Sequence, residues 1–302
     1  MGRRLLGKRN ENLWFWVFVG PFMLGLVVFI LVPIGWSLYL SFFEAYNTVN
    51  PTEFVGFGNY ADMLSDESFR SSLVTFLVFA AIIVPLTYFL SLGTAILVWR
   101  ARFMQTFFRS VFFLPTACSY VVASLIWKLS IFSGTNSGLA NQLLGLAGKE
   151  TVPFLSLSDP PWYWLVITTA RLWLQVGFYM ILFLAGLNRI SPTLYEAAAI
   201  DGASSWQAFR FVTIPQLRNT TIAVLLLLLI NAFQAFDEFF NIMATFGTYP
   251  PYARPPLVYL YYIALGSGQD FGHGSAGAGI LTVVITIVAL SASRLMRLSR
   301  AN

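Results

Sequence analysis

Glu196-Ala197-Ala198-Ala199-Ile200-Asp201-Gly202, running on through Ser204 and Gln207 to Val212-Thr213-Ile214-Pro215, is a polar, bent stretch held between two apolar runs of membrane length. Its local chemistry predicts two short helices joined at a glycine. Ser191 stands at an N-cap position and Pro192 at the first helical position, where the N–H that proline lacks has no intrahelical partner to lose. Gly202 supplies the turn, since it adopts backbone angles closed to other residues. Ser204 and Gln207 have the spacing of a capping box opening the second helix. The expected product is a compact helical elbow within residues 190–218.

Composition places that elbow. The chain is 57% hydrophobic and 10% charged, far from the balance of a water-soluble domain. A span needs roughly 20 apolar residues. Six runs qualify, at about 14–41, 72–98, 110–131, 162–187, 221–243 and 275–295, and they predict an all-α membrane protein with six transmembrane helices in a single domain over 1–302. The first is longer than one span requires and contains Gly20-Pro21 and Pro33, which predict a kink or an interfacial turn. It is too long and too aromatic for a cleaved signal peptide, so the chain is expected to keep its N-terminus.

Basic residues set the orientation. Arg3, Arg4, Lys8 and Arg9 precede the first run; Arg100, Arg102 and Arg109 lie between the second and third; Arg189, Arg210 and Arg218 between the fourth and fifth; Arg294, Arg297 and Arg300 follow the sixth. Six spans put all of these on one side, the cytoplasm by the positive-inside rule, with both termini and the elbow. The opposite loops hold only Arg70, Lys149 and Arg254 among several acids. The net charge of +5 is therefore assigned to topology and anionic lipid rather than to nucleic acid.

The elbow then has two readings. One is an amphipathic connector on the inner leaflet, with Trp206, Phe209 and Phe211 entering the lipid boundary and Arg210 and Arg218 staying wet. The other is a docking surface, in which Ala197, Ala198, Ala199 and Gly202 permit close approach by another protein. The single cysteine, Cys118, has no partner for a disulfide or a metal site and is expected to be a small buried side chain. No Gly-x-x-x-x-Gly-Lys-Ser/Thr phosphate loop is present. The run Gly272-His273-Gly274-Ser275-Ala276-Gly277-Ala278-Gly279 lacks the lysine and is expected to be a flexible, close-packing lead into the sixth helix. His273 is expected to be a surface or packing histidine.

Polar residues within the apolar runs point to a pathway. The fifth run holds Asn231, Phe233, Gln234, Asp237 and Glu238, and the fourth holds Arg171, Trp173, Gln175 and Tyr179. Polar groups in hydrocarbon face a cavity or a neighbouring helix. Asn231, Gln234 and Asp237 are spaced by three, which predicts one shared helical face. Flat aromatics with planar hydrogen-bonding groups suit a sugar. Interhelical hydrogen bonding is the competing role for each of them. Arg171 is expected to pair with Asp237 or Glu238, or else to snorkel outward.

The spaced set Glu196-Ala197-Ala198, Gly202, Val212, Ile214 and Pro215 resembles the EAA loop of permease subunits in binding-protein-dependent ABC importers. Pro21-Phe22 through Pro33, Phe57-Gly58-Asn59-Tyr60, Phe113-Leu114-Pro115 and Phe236-Asp237 are similar to the maltose-type, carbohydrate-uptake branch, and within it to the first permease of the usual pair. The resemblance implies the type I importer permease fold in a bacterial or archaeal cytoplasmic membrane. It implies a second permease, two ATPase subunits that use ATP and Mg, and an extracytoplasmic solute-binding protein; the chain itself binds no cofactor and no metal. Glu196, Ala197, Ala198, Asp201, Gly202 and Pro215 would then couple to an ATPase, and the cargo would be a di- or oligosaccharide. A glycerol phosphate or other polyol-like cargo is the alternative within that reading. An ion-coupled secondary transporter is the distant one, with only Asp237 and Glu238 as coupling carboxylates.

Overall fold

In the computed structural model, which describes residues 3–101, 103–244, 249–266 and 268–298, the apolar runs are helical, and the only strand-like pairings among those residues are isolated bridges. Arg102, Arg300 and the side chains of Arg3, Arg4, Lys8, Arg9 and Arg297 lie outside the described residues. Among the described residues four helices are long and apolar enough to cross a membrane: α1 (Leu13–Leu40), α3 (Glu67–Arg100), α7 (Tyr163–Leu187) and the last helix, whose apolar part is Phe271–Ala292. Two bent helix pairs are apolar enough only when taken together, Gln105–Ala117 with Tyr120–Ile131 at 92° and Ser205–Gln216 with Arg218–Phe233 at 65°, and the first limb of the second pair is part of the elbow. The described residues thus hold four to six spans, six if each bent pair is one span. Between and within these lie α2 (Gly58–Ser65), α4 (Gln105–Phe113), α5 (Tyr120–Ile126), α6 (Leu139–Leu146), α8 (Pro192–Ile200), α9 (Ser205–Ala208), α10 (Arg218–Phe233), α11 (Asp237–Met243), α12 (Pro256–Ala264) and α13 (Phe271–Leu298).

The chain divides into two compact units, Met1–Asp66 with Leu260–Thr282, and Glu67–Tyr259 with Val283–Asn302. In the first, Pro21 sits inside a regular helix, whereas the turn before Pro33 widens to π geometry over Val27–Leu31. Proline has no N–H and crowds the carbonyl four residues back, and a widened turn relieves both. The Phe57-Gly58-Asn59-Tyr60 stretch is explained by buried Asn59, whose amide donates to Ser41 O (3.0 Å) and Phe43 O (2.9 Å) and so ties α2 to the end of α1. The glycine run is helical from Phe271 on rather than a flexible lead, while its close-packing role holds. A Cβ on Gly277 would lie 2.4 Å from Leu260 Cδ2, and one on Gly274 would lie 2.6 Å from Ala264 Cβ. His273 bonds Asp270 through Nδ1 (2.8 Å) and faces Asp62 through Nε2 (3.4 Å).

The second unit has its core where α3, α7 and α10 meet. Leu92, Ala95, Val98, Met180, Phe183, Leu187 and Leu228 are all buried there. Their spacing of three and four residues along α3 and α7 is the period of a helix face. The bent third span is bound to α7 along its length. Thr116 Oγ1 donates to Leu174 O (3.2 Å), Gln175 Nε2 to Tyr120 OH (2.9 Å) and Trp127 Nε1 to Thr169 Oγ1 (3.0 Å). At Gly177 the two backbones come so close that a Cβ would lie 1.8 Å from Phe112 O. Gly177→Ala should therefore force backbone apart and lower stability by about 1–3 kcal/mol, the usual cost of overpacking. Gly93→Ala, in the interior of α3 with nothing within 4 Å of the added Cβ, should be neutral or stabilising by about 1 kcal/mol through helix propensity. Thermal unfolding of the purified protein in detergent separates the two; equal melting temperatures would refute the close approach.

Two further expectations need correction here. The fifth span is not one helix over 221–243: α10 ends at Phe233, Gln234 caps it with φ −101°, and α11 begins at Asp237. Cys118 is exposed, not buried, because it lies in extended backbone (φ −77°, ψ 142°) at the bend between a 3-10 turn over Leu114–Ala117 and α5.

Candidate functional site

The elbow folds as its caps dictate, with one change. Pro192 opens α8, but the Ser191 side chain makes no cap bond and instead hydrogen-bonds the Thr193 hydroxyl (2.7 Å). At the other end, Gly202 has φ +74°. Gly202 N donates to Ala199 O (3.1 Å) and Ala203 N to Ala198 O (2.9 Å), the paired bonds of a Schellman cap with glycine at its left-handed position. Ser204 and Gln207 form the full capping box: Ser204 N donates to Gln207 Oε1 (2.7 Å) and Gln207 N to Ser204 Oγ (3.3 Å). Tyr195 on α8 hydrogen-bonds Thr213 (2.9 Å) and lies 5.8 Å, ring to ring, from Trp99 of α3. The elbow is thus fastened to the span beneath it at its inner face.

Its outer face is open. Glu196, Ala197, Asp201, Gly202 and Pro215 are exposed and Ala198 is half-buried. Large apolar side chains accompany them, Ile200 at 87% exposure, Phe211 at 69% and Trp206 at 66%. Stiff capped helices carrying exposed aromatic and aliphatic groups beside small side chains make a surface for close docking.

The second candidate site is a polar cavity of about 180 Å³ lined by Tyr120, Arg171, Asn231, Gln234, Asp237 and Glu238. Arg171, 4% exposed, ion-pairs through one guanidinium nitrogen with Glu238, 1% exposed, and donates through the other to Asn231 O (2.6 Å). Asn231 belongs to the last turn of α10 and Glu238 to the first turn of α11. Arg171 therefore clips both sides of the helix break to α7. Its guanidinium carbon also stands 5.2 Å from the Tyr120 ring centroid. The sequence expectation of pairing with Asp237 or Glu238 resolves to Glu238.

A second cavity of about 210 Å³, lined among others by Cys118, Tyr120, Gln175, Tyr179 and Asn231, shares Tyr120 and Asn231 with the first. The Asn231 amide donates to Tyr179 OH (2.9 Å). Five of the sequence-selected pathway residues therefore border one or both cavities: Asn231, Gln234, Asp237, Gln175 and Tyr179. Two do not. Phe233, 2% exposed, stacks on Phe76 at 4.6 Å in the core, and Trp173 packs against Trp127 at 5.2 Å. The three-residue spacing brings Asn231, Gln234 and Asp237 together, though not on one helical face as expected; the break turns the last two toward the cavity. Tyr120 and Cys118 were not among the residues selected from sequence. Ser119 caps α5 by accepting from Val121 N (3.2 Å), and Ser-Tyr behind Pro115 was the signal for a bend there.

Gln234 lines the cavity with no hydrogen bond to its side chain among the described residues, whereas Asn231 Nδ2 donates to both Tyr179 OH and Leu227 O. Gln234→Ala is expected to lower transport several-fold with an unchanged melting temperature. Asn231→Ala should lower both, by about 1–2 kcal/mol for stability, since it also frees the buried Tyr179 hydroxyl. Transport kinetics equal to wild type in both variants would move the pathway elsewhere.

Residues 76–301, which include the elbow and both cavities, match the profile of the binding-protein-dependent transport system inner membrane component family. The chain is 31% identical over 285 residues to the lactose transport system permease protein LacF of Rhizobium radiobacter, covering 93% of each chain. It is 29% identical over 283 residues to the arabinooligosaccharides transport system permease protein AraP of Halalkalibacterium halodurans, covering 91% of this chain and 85% of that one. Its fold is that of a chain in the crystal structure of a bacterial ABC transporter involved in the import of the acidic polysaccharide alginate, with a TM-score of 0.83, 21% identity and coverage of 97% and 98%.

Proposed function

The chain belongs to the family of binding-protein-dependent transport system inner membrane components, and from that premise we infer that it is the multi-pass membrane subunit of an ATP-driven sugar importer. The observation that carries this reading is the exposed, capped elbow lying inside the family match. Relatives named for lactose and arabinooligosaccharides support a di- or oligosaccharide as cargo, and a cavity of planar amides, hydroxyls and an aromatic ring is suited to its hydroxyl groups. A glycerol phosphate or polyol cargo is not favoured.

In this reading the working complex pairs the chain with a second permease, two ATPase subunits that use ATP and Mg, and an extracytoplasmic solute-binding protein, in a bacterial or archaeal cytoplasmic membrane. The distribution of basic residues supports a topology with both termini and the elbow on the cytoplasmic side. Glu196, Ala197, Ala198, Asp201, Gly202 and Pro215 form the coupling surface, with Ile200 and Trp206 as its apolar anchors. Closure of the ATPase pair on ATP pulls the elbow, and the Tyr195–Thr213 bond and Trp99 pass that movement to the spans. The fifth span is already divided at Gln234–Phe236, so its two halves can reorient about a defined point and expose the cavity to alternate sides.

Uptake by proteoliposomes carrying the complete complex, with the binding protein outside and ATP inside, tests the proposal. Sugar accumulation should stop when ATP is omitted and persist when a protonophore collapses the proton gradient. The reverse result would indicate ion-coupled transport and overturn it.

A further inference from the structure

The charges lining the polar cavity do not balance. Arg171 is the one cation there among the described residues. It is buried with its two terminal nitrogens engaged, one by the Glu238 carboxylate and the other by Asn231 O. Asp237 is exposed at the same cavity, and its carboxylate makes no ion pair among the described residues. Lys128 is occupied at the other end of α11, where its ammonium donates to Ala244 O (2.5 Å) and Asn241 O (3.4 Å). The two helix ends at the break carry partial charges of opposite sign, negative at the end of α10 and positive at the start of α11, so they offset one another. The remaining groups, Tyr120, Asn231 and Gln234, are neutral. The exposed charge of the lining is thus a single carboxylate in a site with low-dielectric walls, which concentrate its field.

Resting on the importer reading above, we propose that this pathway selects by charge: it passes uncharged glycans and rejects uronic-acid and phosphorylated sugars, with Asp237 as the residue that sets the rejection. An anionic sugar would meet the Asp237 carboxylate with no free cation to pair with, because Glu238 masks Arg171. A neutral glycan meets only hydrogen-bonding groups and an aromatic face. On this reading the chain differs in cargo from a carrier of acidic polysaccharide even where the fold is shared.

Cys118 makes the charge measurable without knowing the cargo. It lines the adjoining cavity, which shares Tyr120 and Asn231 with the first, and it is the single cysteine of the chain. The intact complex is treated with two thiol reagents of similar size, trimethylammonium-ethyl and sulfonatoethyl methanethiosulfonate, and labelling of this chain is followed by mass spectrometry. Each rate is divided by that for free cysteine. The cationic reagent should be favoured by about tenfold. Asp237→Asn should return the ratio to near one, and Asp237→Glu should keep it. A normalised ratio near one in the wild type, a preference for the anionic reagent, no labelling by either, or no response to Asp237→Asn would each overturn the proposal. In a second arm, ATP-dependent uptake of a neutral oligosaccharide is compared with that of its uronate counterpart. Uptake of the uronate would overturn charge selection and leave the importer reading intact. Failure to take up any glycan under ATP would overturn the importer reading, while the thiol ratio would still report the charge of the cavity.

Discussion

Replacing Gly202 by aspartate is expected to release the ATPase subunits and lower ATP-dependent uptake at least 100-fold while the chain stays folded in the membrane. At φ +74° an L-residue costs roughly 1–2 kcal/mol. A Cβ on Gly202 meets nothing within 4 Å in the chain itself, so no internal clash adds to that cost. The damage must fall on whatever approaches the open face beside Ile200 and Trp206. A charged group pushed into an interface built for close approach is desolvated without a partner, a change of the size seen at interface hot spots. Gly202→Asn separates charge from bulk, because asparagine and aspartate both tolerate left-handed backbone better than most residues. It should also release the ATPases, though less completely. Co-purification of the ATPase subunits, with the melting temperature of the membrane subunit as control, is the measurement. Normal co-purification of Gly202→Asp would show that the elbow's outer face docks nothing and would return it to the role of an interfacial connector.

Arg171→Met is expected to destabilise the protein by about 3–5 kcal/mol and to abolish transport. The substitution leaves Glu238 buried and unpaired, and removing one partner of a buried ion pair costs about that much. The double variant Arg171→Met with Glu238→Leu is the informative one. Without either charge the desolvation penalty disappears, and stability should return to within about 1 kcal/mol of wild type. Transport should not return, because the clip that joins α10 and α11 to α7 at the break is gone and Gln234 and Asp237 lose their fixed placement. Detergent unfolding reads the first quantity and proteoliposome uptake the second. Recovery of both in the double variant would reduce Arg171 and Glu238 to a structural brace with no part in positioning the cavity.

The elbow was legible in the sequence because its instructions are local. A capping box needs Ser204 and Gln207 three residues apart, and a Schellman cap needs glycine where φ is positive; both conditions act within one or two turns. Ser191 shows the limit of such reading, since its hydroxyl has a nearer partner in Thr193. The third span was half legible. Pro115 and Ser119 mark a stop and a start, but apolar residues on both sides of them suggested one continuous helix. The fifth span was not legible as broken, for residues 231–238 contain neither proline nor glycine. What interrupts it there is long-range: the guanidinium of Arg171, sixty residues earlier in the chain, bonds Asn231 O and Glu238, while Phe233 is drawn into the core against Phe76.

By itself the sequence determined the class of protein, the long apolar helices, the side on which the basic loops are expected, and the bent elbow that follows the fourth apolar run. These follow from apolar length, charge placement and short-range backbone chemistry, all of which are written in contiguous residues. Only the tertiary structure decided where the helices break, that Cys118 is exposed, that Phe233 and Trp173 turn away from the cavity, and that Glu238 rather than Asp237 neutralises Arg171. The reason is physical: a hydrogen bond or ion pair between groups far apart in the chain can outweigh helical continuity, and no local pattern records which distant group will arrive.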